Sequence, residues 1–401
     1  MDNPILFLVD HEMAQCRRRT SENPSGSRCQ LGSLARALLL GVVILLGAGC
    51  GQRQPPSAWE ALPLGTMADF RGIWFTDPQN GWIVGGNYNI PGGLIGRTRD
   101  GGKTWRFASN LAETPVGRLQ ATAVRFFETQ RGLVATGDGA IFATGDGGEN
   151  WALVRHGSGS EYLNGFSFID DERGWAVGHG GVLGTRDAGQ HWSRLTPARG
   201  SRRISGWAIH LLDDRTGWLA GMHGTLMYTV DGGITWESAA TPLPAAERPT
   251  LRDVFFIDDQ HGWVVGEEGT ILATRDGGST WVRQDTGLVE ARSAPKLERI
   301  PRAGKVDVID AGDRTPGLTL SAVRFVDRSR GWAAGYYTGL GRSLILRTPD
   351  GGSTWAVEAD IAGEELRVLF VQGGATLWAA GARVREGPQA IYRRALSAAA
   401  K

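Results

Sequence analysis

From residue 57 onward the apolar and polar positions repeat one phrase along the chain. A clear copy runs Asp253-Val-Phe-Phe256, a polar turn at Asp258-Asp-Gln-His261, Trp263-Val-Val-Gly266, a second turn, Thr270-Ile-Leu-Ala-Thr274, a third turn, and a short run from Trp281. The runs alternate with period two and end in clusters of turn residues. They are also too short for helices, so the phrase predicts four short strands.

Two motifs keep the phrase in register. Asp-x-Gly-x-x-Trp, an Asp box, begins at Asp100, Asp146, Asp187, Asp231, Asp276 and Asp350. The first five boxes are 46, 41, 44 and 45 residues apart, and the last gap is 74. Gly-Trp followed by small and β-branched residues interleaves with them at Gly81, Gly174, Gly217, Gly262 and Gly331, with Gly132-Leu133 and Leu377-Trp378 in the two remaining slots. Seven phased slots with a period in the forties predict an all-β, seven-bladed β-propeller of four-stranded blades. The seventh unit, Glu365–Arg394, lacks a box and an outer strand. Ser57-Ala58-Trp59-Glu60 resembles the start of such a strand, so the N-terminal strand is expected to pair with the last blade and close the ring.

The box has a physical logic. Its turn needs positive φ, which Gly supplies, and the Asp carboxylate can accept hydrogen bonds from turn N–H groups. The box Trp is expected to pack against the following blade. Twelve of the fifteen Trp lie in the two motifs and Trp59 in a third phased slot, so Trp reads as core here.

Composition narrows the function. Net charge is +1, and residues 1–50 carry five Arg and four acids, which leaves the remainder neutral. No global footprint for nucleic acid follows, and charge-driven binding needs a local patch. The three Cys, at 16, 29 and 50, all precede the repeats, excluding a disulfide framework or a Cys-held metal there. No cofactor and no metal are expected. Residues 37–49 (ALLLGVVILLGAG) follow Arg17, Arg18, Arg19, Arg28 and Arg36. A basic stretch before so short an apolar run reads as a signal peptide. Small residues then precede Cys50, which resembles a lipoprotein cleavage site with Cys50 as the lipid attachment point. The domain reading is a targeting segment over 1–50, a tether over 51–56, and the propeller over 57–396 with an insertion at 285–316.

The boxes and the Gly-Trp-x-(Val/Ala)-Gly phrasing cover residues 57–395, and the chain resembles the photosystem II assembly/stability factors. That resemblance implies a non-enzymatic, lipidated scaffold outside the cytoplasm. Its partner would be a segment of a membrane-complex subunit, bound by a monomer without nucleic acid. The alternative is an exo-acting, sialidase-like glycoside hydrolase, a family that also carries Asp boxes. Such an enzyme needs an arginine triad, a Tyr–Glu pair and a further acid. The chain has six Tyr, and its Arg299-Ile300-Pro301 lies after the fifth box rather than before the first. His179 and His223, in equivalent turns, with Glu267 and Glu268 in the next unit, could hold a ligand, but turns tolerate polar residues.

Counting back from the Gly-Trp slot gives a coordinate on the innermost strands. Eleven residues back lie Arg71, Thr122, Asn164, Trp207, Arg252, Ser321 and Arg367; eight back lie Trp74, Arg125, Ser167, His210, Phe255, Arg324 and Phe370. Arg71, Arg125, Arg252, Arg324 and Arg367 are therefore the candidate partner-binding residues, suited to an acidic segment or a C-terminal carboxylate. The competing reading pairs each with a nearby acid such as Asp253 or Glu365. Replacing Arg71, Arg252 and Arg367 by Ala is expected to weaken binding with little loss of stability. The insertion and the loops Asn87–Gly93 and Tyr336–Arg342 are expected to flank the site.

Overall fold

The computed structural model describes residues 58–396 apart from 88–89, 108–119, 158–160, 196–203, 245–247, 287, 289–316 and 385–388. The targeting segment with Cys50, the tether, most of the 285–316 insertion with Arg299-Ile300-Pro301, and much of the 87–93 loop lie outside the described residues.

Every element in the described chain is a strand. Five four-stranded antiparallel sheets are each built from consecutive strands, as in Leu251–Phe256, Gly262–Gly266, Ile271–Thr274 and Val282–Arg283. Eight further strands make one sheet out of two such units. One unit is Asp69–Phe75, Gly81–Asn87, Ile90–Thr98 and Arg106–Phe107. The other is Glu364–Gln372, Thr376–Arg383, Ala390–Ala395 and, from the start of the described chain, Glu60–Pro63. In that last strand Glu60 faces Arg393 and Pro63 faces Ala390. The two units meet at one residue pair, Asp69 with Ala382.

The Gly-Trp motif explains how units stack. In four units its Trp stacks on the aromatic residue that ends the next unit's innermost strand, as Trp82 does on Phe126 at 3.6 Å between centroids and Trp263 on Phe325 at 3.5 Å. Trp378 of the last unit lies in the same way on Phe75 of the first, at 4.5 Å. In three units the indole N–H reaches the next unit's box: Trp82 donates to the Gly147 carbonyl at 2.9 Å, Trp175 to that of Gly232 at 2.7 Å and Trp263 to that of Gly351 at 3.2 Å. Trp332 has no following box. It donates instead to Glu358, which also accepts from Trp59 at 2.7 Å.

Each box is wound around a buried Thr two residues before its Asp. In the fifth box Thr274 Oγ1 donates to Asp276 Oδ1 at 2.8 Å and accepts from Gly278 N at 2.8 Å. The carboxylate then accepts from Thr280 N at 2.9 Å and Thr280 Oγ1 at 2.6 Å. The expected packing of the box Trp is corrected: it faces the preceding unit. Trp281 meets Trp218 edge-on at 5.3 Å, and Trp151 shares a cluster with Trp82. The strand order explains this, because the box precedes the outer strand and its Trp folds back under the preceding unit's Gly-Trp indole.

Candidate functional site: an arginine-lined cavity

The innermost strands enclose a cavity of about 730 Å³, and all fourteen positions of the two sequence registers line it. That needs an explanation. Residues three apart on a regular strand point to opposite faces. The structure resolves this with a β-bulge in every innermost strand, at 70/72, 121/123, 163/165, 206/208, 251/253, 320/322 and 366/368. The unpaired residue is in each case the one eleven back from the slot: Arg71, Thr122, Asn164, Trp207, Arg252, Ser321 or Arg367. A bulge inserts one residue and resets the alternation, so positions three apart face the same side. The closing Gly of Gly-Trp-x-x-Gly is the sequence trace of this bulge. A Cβ at Gly85, Gly178, Gly335 or Gly381 would fall on the inner strand's carbonyl oxygen beside the bulge.

The five arginines differ in their surroundings. Arg71 and Arg367 both reach Asp69 Oδ2, at 2.8 and 3.1 Å, and Arg367 also reaches Glu365 at 2.9 Å. Arg252 pairs with Glu267 at 2.5 Å and lies 4.1 Å over the Trp207 ring. Arg324 pairs with Asp253 at 2.5 Å. Four are therefore neutralised in place, as the competing reading held, and the mouth is not free of carboxylates. Arg125 forms no ion pair among the described residues. It lies over Trp74 at 4.2 Å and near the rings of Phe127 at 5.4 Å and Phe168 at 5.7 Å. Burial pulls its pKa down, with Asp171 opposing from a distance.

Asp69 argues against the expectation that the triple Ala variant would keep its stability. Its side chain is only 7% exposed, and Arg71 and Arg367 both pair with it, so removing both leaves a buried carboxylate with the Gln120 amide at 3.2 Å and no cation. Two tryptophans depart from the core reading: Trp74 and Trp207 line the cavity as platforms for Arg125 and Arg252. The inner-strand registers already place both on the wall, and both lie outside the two motifs. His179 lines the cavity, with Nδ1 2.6 Å from Ser205 Oγ. His223, at φ +56°, does not line it. His210 does, and burial, with Arg324 adding to it, lowers its pKa to about 4.

Among the described residues no cluster of His, Cys, Asp and Glu is arranged to hold a metal. Asp253 lines the cavity already paired to Arg324. The Tyr–Glu contacts at Tyr228–Glu237 and Tyr392–Glu364 lie outside the lining.

Residues 52–155 and 242–309 match the family of the photosystem II assembly factor YCF48. A photosystem II assembly lipoprotein Ycf48 from Synechococcus sp. (strain CC9902) is 34% identical over 129 residues. Over these segments the chain is similar to Ycf48. That alignment takes in 30% of this chain and 36% of the relative, about a third of the relative's length. Two solved structures share the fold along most of the Ycf48-like chain. YCF48 bound to D1 peptide superposes with a TM-score of 0.60 at 17% identity, covering 86% of this chain and 98% of that one. YCF48 from Cyanidioschyzon merolae gives 0.61 at 19%, covering 84% and 98%.

Proposed function

We propose that this protein is a non-enzymatic binding scaffold of the cell envelope. It holds a segment of a membrane-complex subunit at the arginine-bearing cavity during assembly, in the manner of a photosystem II assembly factor. The reading includes a seven-bladed ring closed by Glu60–Pro63 on the last blade, a monomeric state, and a lipid anchor at Cys50 on the outer side of the membrane. The Synechococcus relative is described as a lipoprotein, and one structural neighbour holds a D1 peptide. The observation that carries the reading is the set of bulged inner strands, which brings five guanidinium groups and the Trp74 and Trp207 faces to one cavity. Guanidinium groups with aromatic platforms suit an extended anionic peptide.

The test is fluorescence anisotropy of labelled D1 peptides with the full chain. Saturable binding that weakens with salt, and at least fivefold in Arg252→Gln, is expected. Glu267 is half-buried, so losing its partner there should spare the fold. D1 peptides that fail to bind at any salt concentration would reject the assignment.

A further inference from the structure

We infer that Arg125 is the anchor for a free C-terminal carboxylate carried on an apolar residue, the terminus of the partner segment entering the cavity end-on. This rests on the scaffold reading above and sharpens it.

The first step is which arginine is available. A carboxylate arriving at Arg71, Arg252, Arg324 or Arg367 competes with one already held at 2.5–3.1 Å. Arg125 offers no such competition, and its buried Nε, like those of Arg252 and Arg367, lacks a hydrogen-bond partner. An unsatisfied buried donor is costly, more so when charged, and an entering anion recovers that cost.

The second step is what surrounds it. Arg125, like Arg324, lies three residues beyond the bulge, roughly 10 Å further along the strand than Arg71, Arg252 and Arg367. At that level the wall is Trp74, Phe255 and Phe370, with the Ser167 hydroxyl, Arg324 already paired to Asp253, and His210, whose imidazole is neutral above its pKa of about 4. A single cation without a carboxylate partner, set among aromatic faces, suits one carboxylate attached to an apolar group. It does not suit a run of acidic side chains, which would need several free cations. The cavity, at about 730 Å³, is the size of a small-ligand pocket and admits a chain end more readily than a folded element.

The experiment follows the arginine Nε–H resonances by NMR during titration with N-acetyl-leucine and with its amide. A saturable shift at the resonance missing from Arg125→Gln is expected with the carboxylate, and at least tenfold weaker binding with the amide. Arg125→Lys should retain the carboxylate preference at reduced affinity, which separates loss of charge from loss of fold. Equal shifts with acid and amide, or none, would overturn the inference while leaving D1 binding at the mouth intact. Saturation by N-acetyl-leucine with no D1 peptide bound would uphold it and reject the D1 assignment. Decanoate binding ten times more tightly than N-acetyl-leucine would point to a lipid carboxylate and overturn the peptide reading.

Discussion

The second glycine of the Asp box gives the sharpest test of how the units interlock. Gly278 has φ +87°, and a Cβ there would fall inside the ring of Trp218, which is 3% exposed. Two costs follow for Gly278→Ala. A non-glycine residue at positive φ costs about 1–2 kcal/mol, partly offset by about 0.4–1 kcal/mol from a stiffer unfolded chain. Overpacking against a rigid neighbour adds about 1–3 kcal/mol. The net loss is about 2–4 kcal/mol. At about 2.1 cal/mol/K per residue, the roughly 340 residues of the propeller have an unfolding entropy near 0.7 kcal/mol/K, so Tm falls by about 3–6 °C. Two controls separate the costs. Gly373, at φ +55° with nothing within 4 Å, carries only the backbone cost. Gly148, at the same box position with φ +94°, has its nearest neighbour, Trp151, at 3.3 Å and should fall between. Urea midpoints and calorimetry of the three Ala variants give the order. Gly278→Ala no less stable than Gly373→Ala would show that the indole does not pack under the next box.

Other predictions concern pH and one buried side chain. Hydrogen bonds from Thr104 hold Asp100 at a pKa of about 2, those from Thr280 lower Asp276, and in Asp146, Asp187 and Asp231 similar bonds outweigh burial. Their stabilisation is complete above the unfolded value near 3.8 and is lost as pH falls toward 2, so urea midpoints should drop steeply across that window; a flat profile there would contradict the box geometry. His210 acts at higher pH. With its pKa lowered from 6.5 to about 4, the unfolded chain takes up a proton that the fold refuses, so stability falls as pH drops through that interval by about 2–3 kcal/mol. His210→Phe should flatten that part of the profile and leave the acid limb unchanged. Gln389 is fully buried and bonds to Ala68 N at 2.6 Å, Ala68 O at 2.6 Å and Gly381 O at 2.7 Å, tying the first inner strand to the last unit. Gln389→Ala leaves three buried backbone groups unpaired and should cost about 2–4 kcal/mol in urea denaturation.

The repeat was legible because its devices are local. Gly at positive φ, a carboxylate four residues from the N–H it accepts, and a phased Trp all lie within one phrase of sequence. The Gly-Trp slot even carried the register of the inner strands, so all fourteen wall positions followed from counting. What counting did not show was why positions three apart share a face. The answer, the bulge, is written in Gly85 and its equivalents, but as a missing side chain rather than a present one. The ion pairs were harder still. Asp69 and Arg367 are 298 residues apart, and only the pairing of the last unit with the first brings them to 3.1 Å. Trp74 and Trp207 were placed on the wall by the same count, but their pairing with Arg125 and Arg252 was not, because it depends on which side chains the neighbouring bulged strands bring over each ring.

The cavity's charge balance follows from the same geometry. The bulge turns an extra side chain from every inner strand toward the cavity, and arginine occupies five of the fourteen places. Two guanidinium groups about 10 Å apart repel by roughly 1.7 kcal/mol at an effective dielectric of 20, so five bare ones would weigh heavily against folding. Asp69, Glu365, Glu267 and Asp253 relieve this, with Asp69 serving two arginines at once. Arg125 is stabilised differently, over the Trp74 face, by a cation–π contact that does not use up its hydrogen-bonding capacity. A count of arginines therefore overstates the cavity's attraction for an anion. The attraction lies where a guanidinium is held by rings rather than by a carboxylate, and on this wall that is Arg125.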